Sequence, residues 1–106
     1  MNIQKLMKQA QQAQEKMRET QERLASETVE GTSGAGLVTV TASGDGTVTA
    51  VKIDPKTVDP EDVELLEDLI TAAVADAQRK ARELQEREMG SALGGMGGLG
   101  GMGGLF

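Results

Sequence analysis

A stripe of basic and amide side chains at the start of the chain is the feature best suited to chemistry. Residues 1–14 carry no charged side chain except Lys5 and Lys8. Lysine and arginine neutralise phosphates, and glutamine amides reach phosphate oxygens or base edges. Because helices favour acids near their positive N-terminal end, exposed lysines there indicate a task such as holding a polyanion. At helical spacing one stripe is formed by Lys5, Lys8, Gln12 and Lys16, and Arg18 lies nearby.

A second basic group lies in the last predicted helix, at Arg79, Lys80 and Arg82, with Arg87 nearby. Cations near a helix C-terminus are favourable without any ligand, so these residues have an ordinary structural explanation as well. The only aromatic residue is Phe106, which disfavours stacking on single strands or RNA loops. Any nucleic-acid contact is therefore expected to be with duplex backbone and to depend weakly on sequence.

Other kinds of site lack the residues they need. The chain has no histidine and no cysteine, which removes the commonest general base, thiolate chemistry and cysteine–zinc sites. The glycines at 31–36 lack a Gly-Lys-Ser/Thr ending and precede a strand, so they predict a turn. The acids between Asp54 and Asp68 lack EF-hand spacing and indicate helix capping and a solvated surface. We expect no catalytic residue, metal site, cofactor or small-molecule substrate.

The element that must position the first stripe is a long helix. Apolar and small residues recur at steps of three and four from Ile3 to Leu24, the pattern of a helix that packs lengthwise against another helix. Asn2 is the predicted N-cap, and the helix is expected to end near Leu24 or Ala25. The residues of this apolar seam are Ile3, Leu6, Ala10, Ala13, Met17, Thr20 and Leu24.

Three strands are predicted next, at 28–30, 37–43 and 47–53, joined by turns at 31–36 and 43–46. Val38, Val40 and Ala42 alternate with threonines, which indicates a half-buried strand. In the last strand Val48 and Ala50 are predicted on one face, with Val51 and Ile53 on the other. That second face is partly apolar and suits a subunit contact.

A second long helix is predicted from Asp59, as N-cap, to about Met89–Gly90. The sequence therefore predicts an α+β fold, with a long N-terminal helix, a three-stranded antiparallel sheet and a long C-terminal helix. Two regions follow from this: 1–89 as the folded domain that would hold the candidate DNA contacts and the subunit contact, and 90–106 as a disordered tail rich in glycine and methionine.

Composition sets further expectations for this 106-residue chain. Its core side chains are small, so a lone monomer would be marginal and a second copy is expected to complete the core. The net charge is −6, with the acids concentrated in the middle and a small positive excess on the first helix. No secretory signal or membrane-spanning stretch is visible, and the lack of cysteine suits a cytoplasmic protein.

Several segments together resemble the YbaB/EbfC family of bacterial nucleoid-associated proteins. The resemblance covers most of the chain, to about Glu88. It implies a cytoplasmic, tweezer-like homodimer that binds duplex DNA and helps to organise the nucleoid. The segments are Met7-Lys8-Gln9-Ala10-Gln11-Gln12, Gln14-Glu15-Lys16-Met17, Gly34-Ala35-Gly36-Leu37-Val38, Val51-Lys52-Ile53-Asp54-Pro55, Leu66-Glu67-Asp68-Leu69-Ile70, Ala72-Ala73 and Asp76-Ala77.

The resemblance also implies DNA contacts from the first and last helices. Carried over by position, these are Lys5, Lys8, Gln12, Lys16, Arg79, Lys80 and Arg82. The acid-rich middle of this chain departs from the pattern. A protein–protein adaptor, whose helical arms hold a partner helix without any nucleic-acid role, is the alternative that the sequence leaves open.

Overall fold

The chain folds as a helix, a three-stranded antiparallel sheet and a second helix, which confirms the predicted α+β class. The computed structural model describes residues 2–94. Strand β2 lies between β1 and β3, and the buried cluster lies between the sheet and α2. The elements are α1 Ile3–Ser26, β1 Thr28–Ser33, β2 Val38–Ser43, β3 Val48–Ile53 and α2 Val63–Gly94.

Helix α1 begins where its cap predicts. The side-chain oxygen of Asn2 accepts a hydrogen bond from the Lys5 backbone N–H at 3.2 Å, which satisfies one donor at the open end of the helix. The seam of α1 is covered only at its C-terminal end. Thr20 and Leu24 are buried, whereas every residue from 2 to 12 is exposed.

The central strand behaves as its alternating pattern predicts, because Val38, Val40 and Ala42 are fully buried. The predicted division of β3 is wrong. An irregularity in the β2–β3 ladder pairs Val48 with Ala42 and Ala50 with Thr41. Since paired residues point to the same face, Val48 lies on the helix-facing side and Ala50 on the opposite side.

Strand β1 is longer than predicted and contains Gly31, for which the sequence predicts a turn. A Cβ on Gly31 would come within 2.2 Å of the Ala77 backbone nitrogen and 2.4 Å of the Ala73 carbonyl oxygen. The absence of a side chain therefore lets α2 lie directly on β1. The turn itself covers Gly34–Gly36, where even Ala35 has a positive φ of 57°.

Helix α2 begins and ends later than predicted. Asp62, rather than Asp59, caps it, accepting a hydrogen bond from the Leu65 backbone N–H at 3.3 Å. Asp59 instead accepts one from the Glu61 backbone N–H at 2.9 Å, in the turn that precedes the helix. At the other end the helix passes Gly90 and reaches Gly94. The remainder of the predicted tail, 95–106, lies outside the described residues.

The two helices meet side by side in opposite directions beyond the sheet. Arg23 donates to Glu88 at 2.8 Å, rather than pairing with Glu19 four residues earlier as its spacing suggests. Gly44 lets the turn after β2 approach the end of α1 closely, because a Cβ there would lie 2.4 Å from the Leu24 carbonyl oxygen. With α1 projecting past the end of α2, the molecule is elongated, with a long dimension of 71 Å.

Candidate nucleic-acid interface

The lysine stripe (Lys5, Lys8, Gln12 and Lys16) lies on the projecting part of α1. At 3.6 residues per turn, Lys5, Gln12 and Lys16 fall within about 20° of one line, and Lys8 lies about 60° to one side. The stripe is roughly 16 Å long. All four side chains are exposed, and none of the three lysines has an ion-pair partner within residues 2–94. The stripe can therefore receive phosphates without first breaking a salt bridge.

Arg18 belongs to a different environment, although it lies on the same helix. Its guanidinium contacts Glu15 one turn earlier and Glu22 one turn later, the latter at 2.6 Å. The hydrogen bond from Arg18 lowers the pKa of Glu15, and the two carboxylates raise the pKa of Arg18. This arginine is already neutralised by its own helix.

Two basic residues of α2, Arg79 and Lys80, contact Asp76. Its carboxylate accepts hydrogen bonds from the Thr32 backbone N–H at 3.0 Å and from Arg79 at 2.7 Å, and it lies 3.2 Å from the ammonium of Lys80. These donors, the Thr32 N–H first, lower the pKa of Asp76 to about 2. Arg79 also donates to Glu83 at 2.7 Å. Sequence reasoning identified the cations here and missed the carboxylate that holds them.

The same cluster closes the outer edge of β1. Lys80 donates to the Glu30 carbonyl oxygen at 2.9 Å, and Asp76 receives the Thr32 N–H from the same strand. Both backbone groups would otherwise face solvent as an open edge. Asp76 and Lys80 thus help to hold α2 against β1, whereas Arg79 donates to Asp76 and Glu83 of its own helix. The signal for their ion pairs was present in the sequence, since Asp76 and Glu83 stand three and four residues from Arg79.

The structure does not bring the two predicted basic groups together within one chain. Taking Arg23 and Glu88 as level with each other, Arg82 lies roughly 35 Å from Lys5 along the long axis. Arg82 is exposed and has no ion-pair partner in the described part of the chain. The candidate contacts therefore divide into the lysine stripe with Arg82, and three cations bound by carboxylates: Arg18, Arg79 and Lys80.

Other kinds of site find little support in the described residues. A crevice of about 370 Å³ lies where α1, α2 and the β2–β3 turn meet, lined by Gln21, Leu24, Asp45, Gln85 and Met89. Its polar groups serve the fold, since Gln85 donates to the Gly44 carbonyl oxygen at 2.8 Å and Asp45 accepts from Ser43. Between residues 2 and 94 there is no group of three potential metal ligands. Neither helix, over the same range, has an apolar stretch that could span a membrane.

A sequence profile of the YbaB/EbfC DNA-binding family matches residues 1–96. The chain belongs to this family. Among its relatives, a nucleoid-associated protein of Saccharopolyspora erythraea is 50% identical over 97 residues, covering 89% of this chain and 84% of the relative. A nucleoid-associated protein of Chloroflexus aurantiacus is 48% identical over 95 residues, covering 90% and 95% of the two chains.

A solved structure agrees with the architecture of this YbaB/EbfC chain. The crystal structure of an uncharacterized protein from Helicobacter pylori superposes with a TM-score of 0.77, covering 88% of this chain and 98% of the other. The two sequences are 20% identical, so the likeness concerns the fold alone. Membership of a DNA-binding family supports nucleic acid as a partner of this protein.

Proposed function

We infer that this protein binds duplex DNA as a homodimer in the cytoplasm, within the nucleoid, and contributes to nucleoid organisation and gene regulation. The observation that carries this proposal is the lysine stripe on the projecting part of α1, whose cations are exposed and have no ion-pair partner among residues 2–94. Relatives about 50% identical are named nucleoid-associated proteins. We assign DNA binding and dimerisation to residues 1–89; the predicted tail, 90–106, begins with residues 90–94, which continue α2.

The stripe suits the DNA backbone better than base edges. Lysine ammonium groups act as point charges on phosphates, and neutralising phosphates releases condensed counterions without reading sequence. Gln12 is the member able to reach either phosphate oxygens or base edges. We therefore propose little sequence specificity, with the main contacts from Lys5, Lys8, Gln12 and Lys16. Arg82 is a secondary contact, and Arg18, Arg79 and Lys80 contribute less because carboxylates already hold them.

We propose a homodimer because the two edges of the sheet differ in how far their backbone groups are occupied. Strand β1 has backbone groups occupied by Asp76 and Lys80, whereas β3 has no strand on its outer side among the described residues. Residues 48–52 of β3 are all exposed, Val48 and Val51 among them. An open edge with exposed valines is suited to pairing with another strand. We propose that two copies join through β3, so that their α1 helices form the two arms of a tweezer.

A titration against random-sequence duplex DNA tests this function. Fluorescence anisotropy at 50 and 200 mM salt, with two unrelated duplexes of equal length, measures affinity, salt dependence and specificity together. If three lysines on each of two chains contact phosphates, affinity should fall by about 10³-fold between the two salt concentrations and differ little between duplexes. Light scattering on the protein without DNA should give twice the chain mass of 11.1 kDa. Absence of binding at 50 mM would contradict the proposal.

The adaptor hypothesis is favoured by one observation, the exposed apolar side chains of Ile3, Leu6 and Met7 on the same arm. Apolar contacts with a partner helix would persist at high salt, whereas DNA binding through lysines would not. The salt titration therefore separates the two functions. In either case we propose a binding protein without catalysis, because no base and nucleophile lie together among the residues discussed above.

A further inference from the structure

Strand β1 lacks the features that keep most edge strands unpaired. It has six residues, Thr28–Ser33, and it pairs with β2 in a ladder without irregularity. It contains no proline and no lysine, and its one charged residue is Glu30. No strand lies on its outer side among residues 2–94. Proline, lysine, bulges and short length usually protect an edge against pairing with another chain, so the protection of β1 has to come from elsewhere in the molecule.

Helix α2 supplies this protection, because the spacing of two of its side chains matches that of the strand. The Thr32 N–H donates to the Asp76 carboxylate at 3.0 Å, and the Lys80 ammonium donates to the Glu30 carbonyl oxygen at 2.9 Å. Four residues of helix rise about 6 Å, and two residues of strand span about 6.6 Å. Asp76 and Lys80 therefore reach successive outward-facing groups of β1. Gly31 permits this, since the absence of a side chain lets α2 lie directly on the strand.

A second β1 strand would need the same backbone groups. Every second residue of an edge strand points its N–H and C=O outward, and the contacts with α2 identify Glu30 and Thr32 as two such residues. An antiparallel β1–β1 pair joins outward-pointing residues of the two chains. The registers with most overlap use both the Glu30 carbonyl and the Thr32 N–H of each chain. Pairing would therefore require Asp76 and Lys80 to leave the strand.

The two covering side chains are held in place on their own helix. Arg79 donates to Asp76 at 2.7 Å, and the Lys80 ammonium lies 3.2 Å from the same carboxylate. The hydrogen bond from Thr32, followed by those from Arg79 and Lys80, lowers the pKa of Asp76 to about 2. Asp76 is therefore ionised at neutral pH, and leaving β1 would cost it a charge-assisted hydrogen bond.

We propose that Asp76 and Lys80 cover the outer edge of β1 and thereby prevent a second copy of the chain from pairing there. Their contacts limit assembly. One edge that pairs with its own copy closes about a two-fold axis, whereas two self-pairing edges on one chain generate a sheet without a fixed end. With β1 covered, self-association is confined to β3 and ends at two copies. The part that concerns β3 rests on the proposed homodimer, and the part that concerns β1 does not.

Uncovering β1 tests the proposal. The uncovered variant, Asp76→Ala with Lys80→Ala, frees both backbone groups, keeps the net charge and places good helix formers in α2. Its control is Glu67→Ala with Arg87→Ala, which removes one acid and one base from exposed positions of the same helix that form no ion pair within residues 2–94. In light scattering without DNA, we expect the uncovered variant to have at least about twice the mass of the natural protein. The control should have the natural mass.

A third variant separates strand pairing from unfolding. Glu30→Pro, added to the uncovered variant, removes an outward N–H and places a ring where a second strand would approach, so the natural mass should return. Proline would not rescue a fold that was merely destabilised. The proposal is overturned if the uncovered variant is folded by circular dichroism yet keeps the natural mass, or if its larger mass persists with the proline.

Should the uncovered variant fail to fold, Lys80→Ala alone frees the Glu30 carbonyl oxygen. Its mass should then rise with protein concentration more steeply than that of the natural protein, and an equal dependence would overturn the proposal. Every mass is compared with that of the natural protein, whose own mass is the separate test of the β3 homodimer. A natural protein that proves to be a single chain would contradict the homodimer and leave the comparison at β1 intact.

Discussion

The division of the cations into paired and unpaired groups predicts a difference between two charge-matched variants. The first variant combines Lys5→Gln with Lys8→Gln, and the second combines Arg18→Gln with Arg79→Gln. Each removes the same charge from a chain whose net charge is −6. Glutamine is a good helix former, and all four side chains are exposed, so both variants should keep the fold. They differ in whether the lost cation was bound by a carboxylate.

The expected size of the effect follows from counterion release. In the proposed dimer, three stripe lysines from each chain would make about six phosphate contacts, which gives a slope of log affinity against log salt of about −5.4. Between 50 and 200 mM salt the affinity of the natural protein should then fall by about 2 × 10³-fold. Losing Lys5 and Lys8 leaves about two contacts, a slope near −2 and a fall of only about tenfold.

The arginine pair should behave differently. Because carboxylates already hold Arg18 and Arg79, we expect their replacement to leave the slope near that of the natural protein. Fluorescence anisotropy with one duplex at four salt concentrations measures all three slopes, and circular dichroism checks that each variant is folded. The reasoning fails if the lysine variant keeps the full slope, or if the arginine variant loses as much of it as the lysine variant does.

Two further predictions concern the fold that positions α1 and α2. Gly31→Ala should lower the free energy of unfolding by about 2 kcal/mol or more, because its Cβ would meet the α2 backbone at Ala77 and Ala73. The control, Gly90→Ala, lies in open space within α2 and should raise that free energy by about 0.5–1 kcal/mol; thermal melts that ranked the two alike would contradict the close contact. The pKa of Asp76 is lowered to about 2 from 3.8, so its contribution to stability is complete above about pH 4 and is lost as pH falls towards 2. The melting temperature of Asp76→Asn should accordingly lie below that of the natural protein at pH 6 and approach it near pH 2, and a constant difference across that range would show that the Asp76 charge is not responsible.

Local sequence signals predicted the elements whose determinants are local. Asn2 has a side chain that caps α1 through its own first turn, and the alternation at Val38 and Val40 places both in the core. The start of α2 was harder, because Asp59 and Asp62 are both good caps three residues apart. Which of them begins the helix depends on how the turn after β3 closes, and the Asp59 side chain is used in that turn.

Features that depend on distant contacts could not be predicted. Gly31 reads as a turn residue, and only the approach of α2 explains why it lies within a strand. The irregularity in β3 shifts Val48 to the helix-facing side through its pairing with β2. The ion pairs of the candidate site could be predicted in part, because some of their partners are local in sequence and one is distant. The carboxylates near Arg79 stand at helical spacing in the sequence, whereas the Thr32 N–H that completes the Asp76 cluster comes from another element.

The acidic net charge and the proposed DNA binding are compatible because of distance and screening. The acids between Asp54 and Asp68 precede α2 or form its first turns, whereas Lys5 lies near the far end of a molecule 71 Å long. The two regions are separated by roughly 60 Å along the helices, and the Debye length at physiological salt is about 8 Å. A phosphate that approaches the arm therefore responds to the lysines and hardly to the distant carboxylates. Of the three nearer acids on α1, Glu15 and Glu22 contact Arg18, whereas Glu19 has no ion-pair partner among residues 2–94 and lies one turn beyond Lys16. Lys5 and Lys8, further from Glu19, are therefore the cations that should attract a phosphate most strongly.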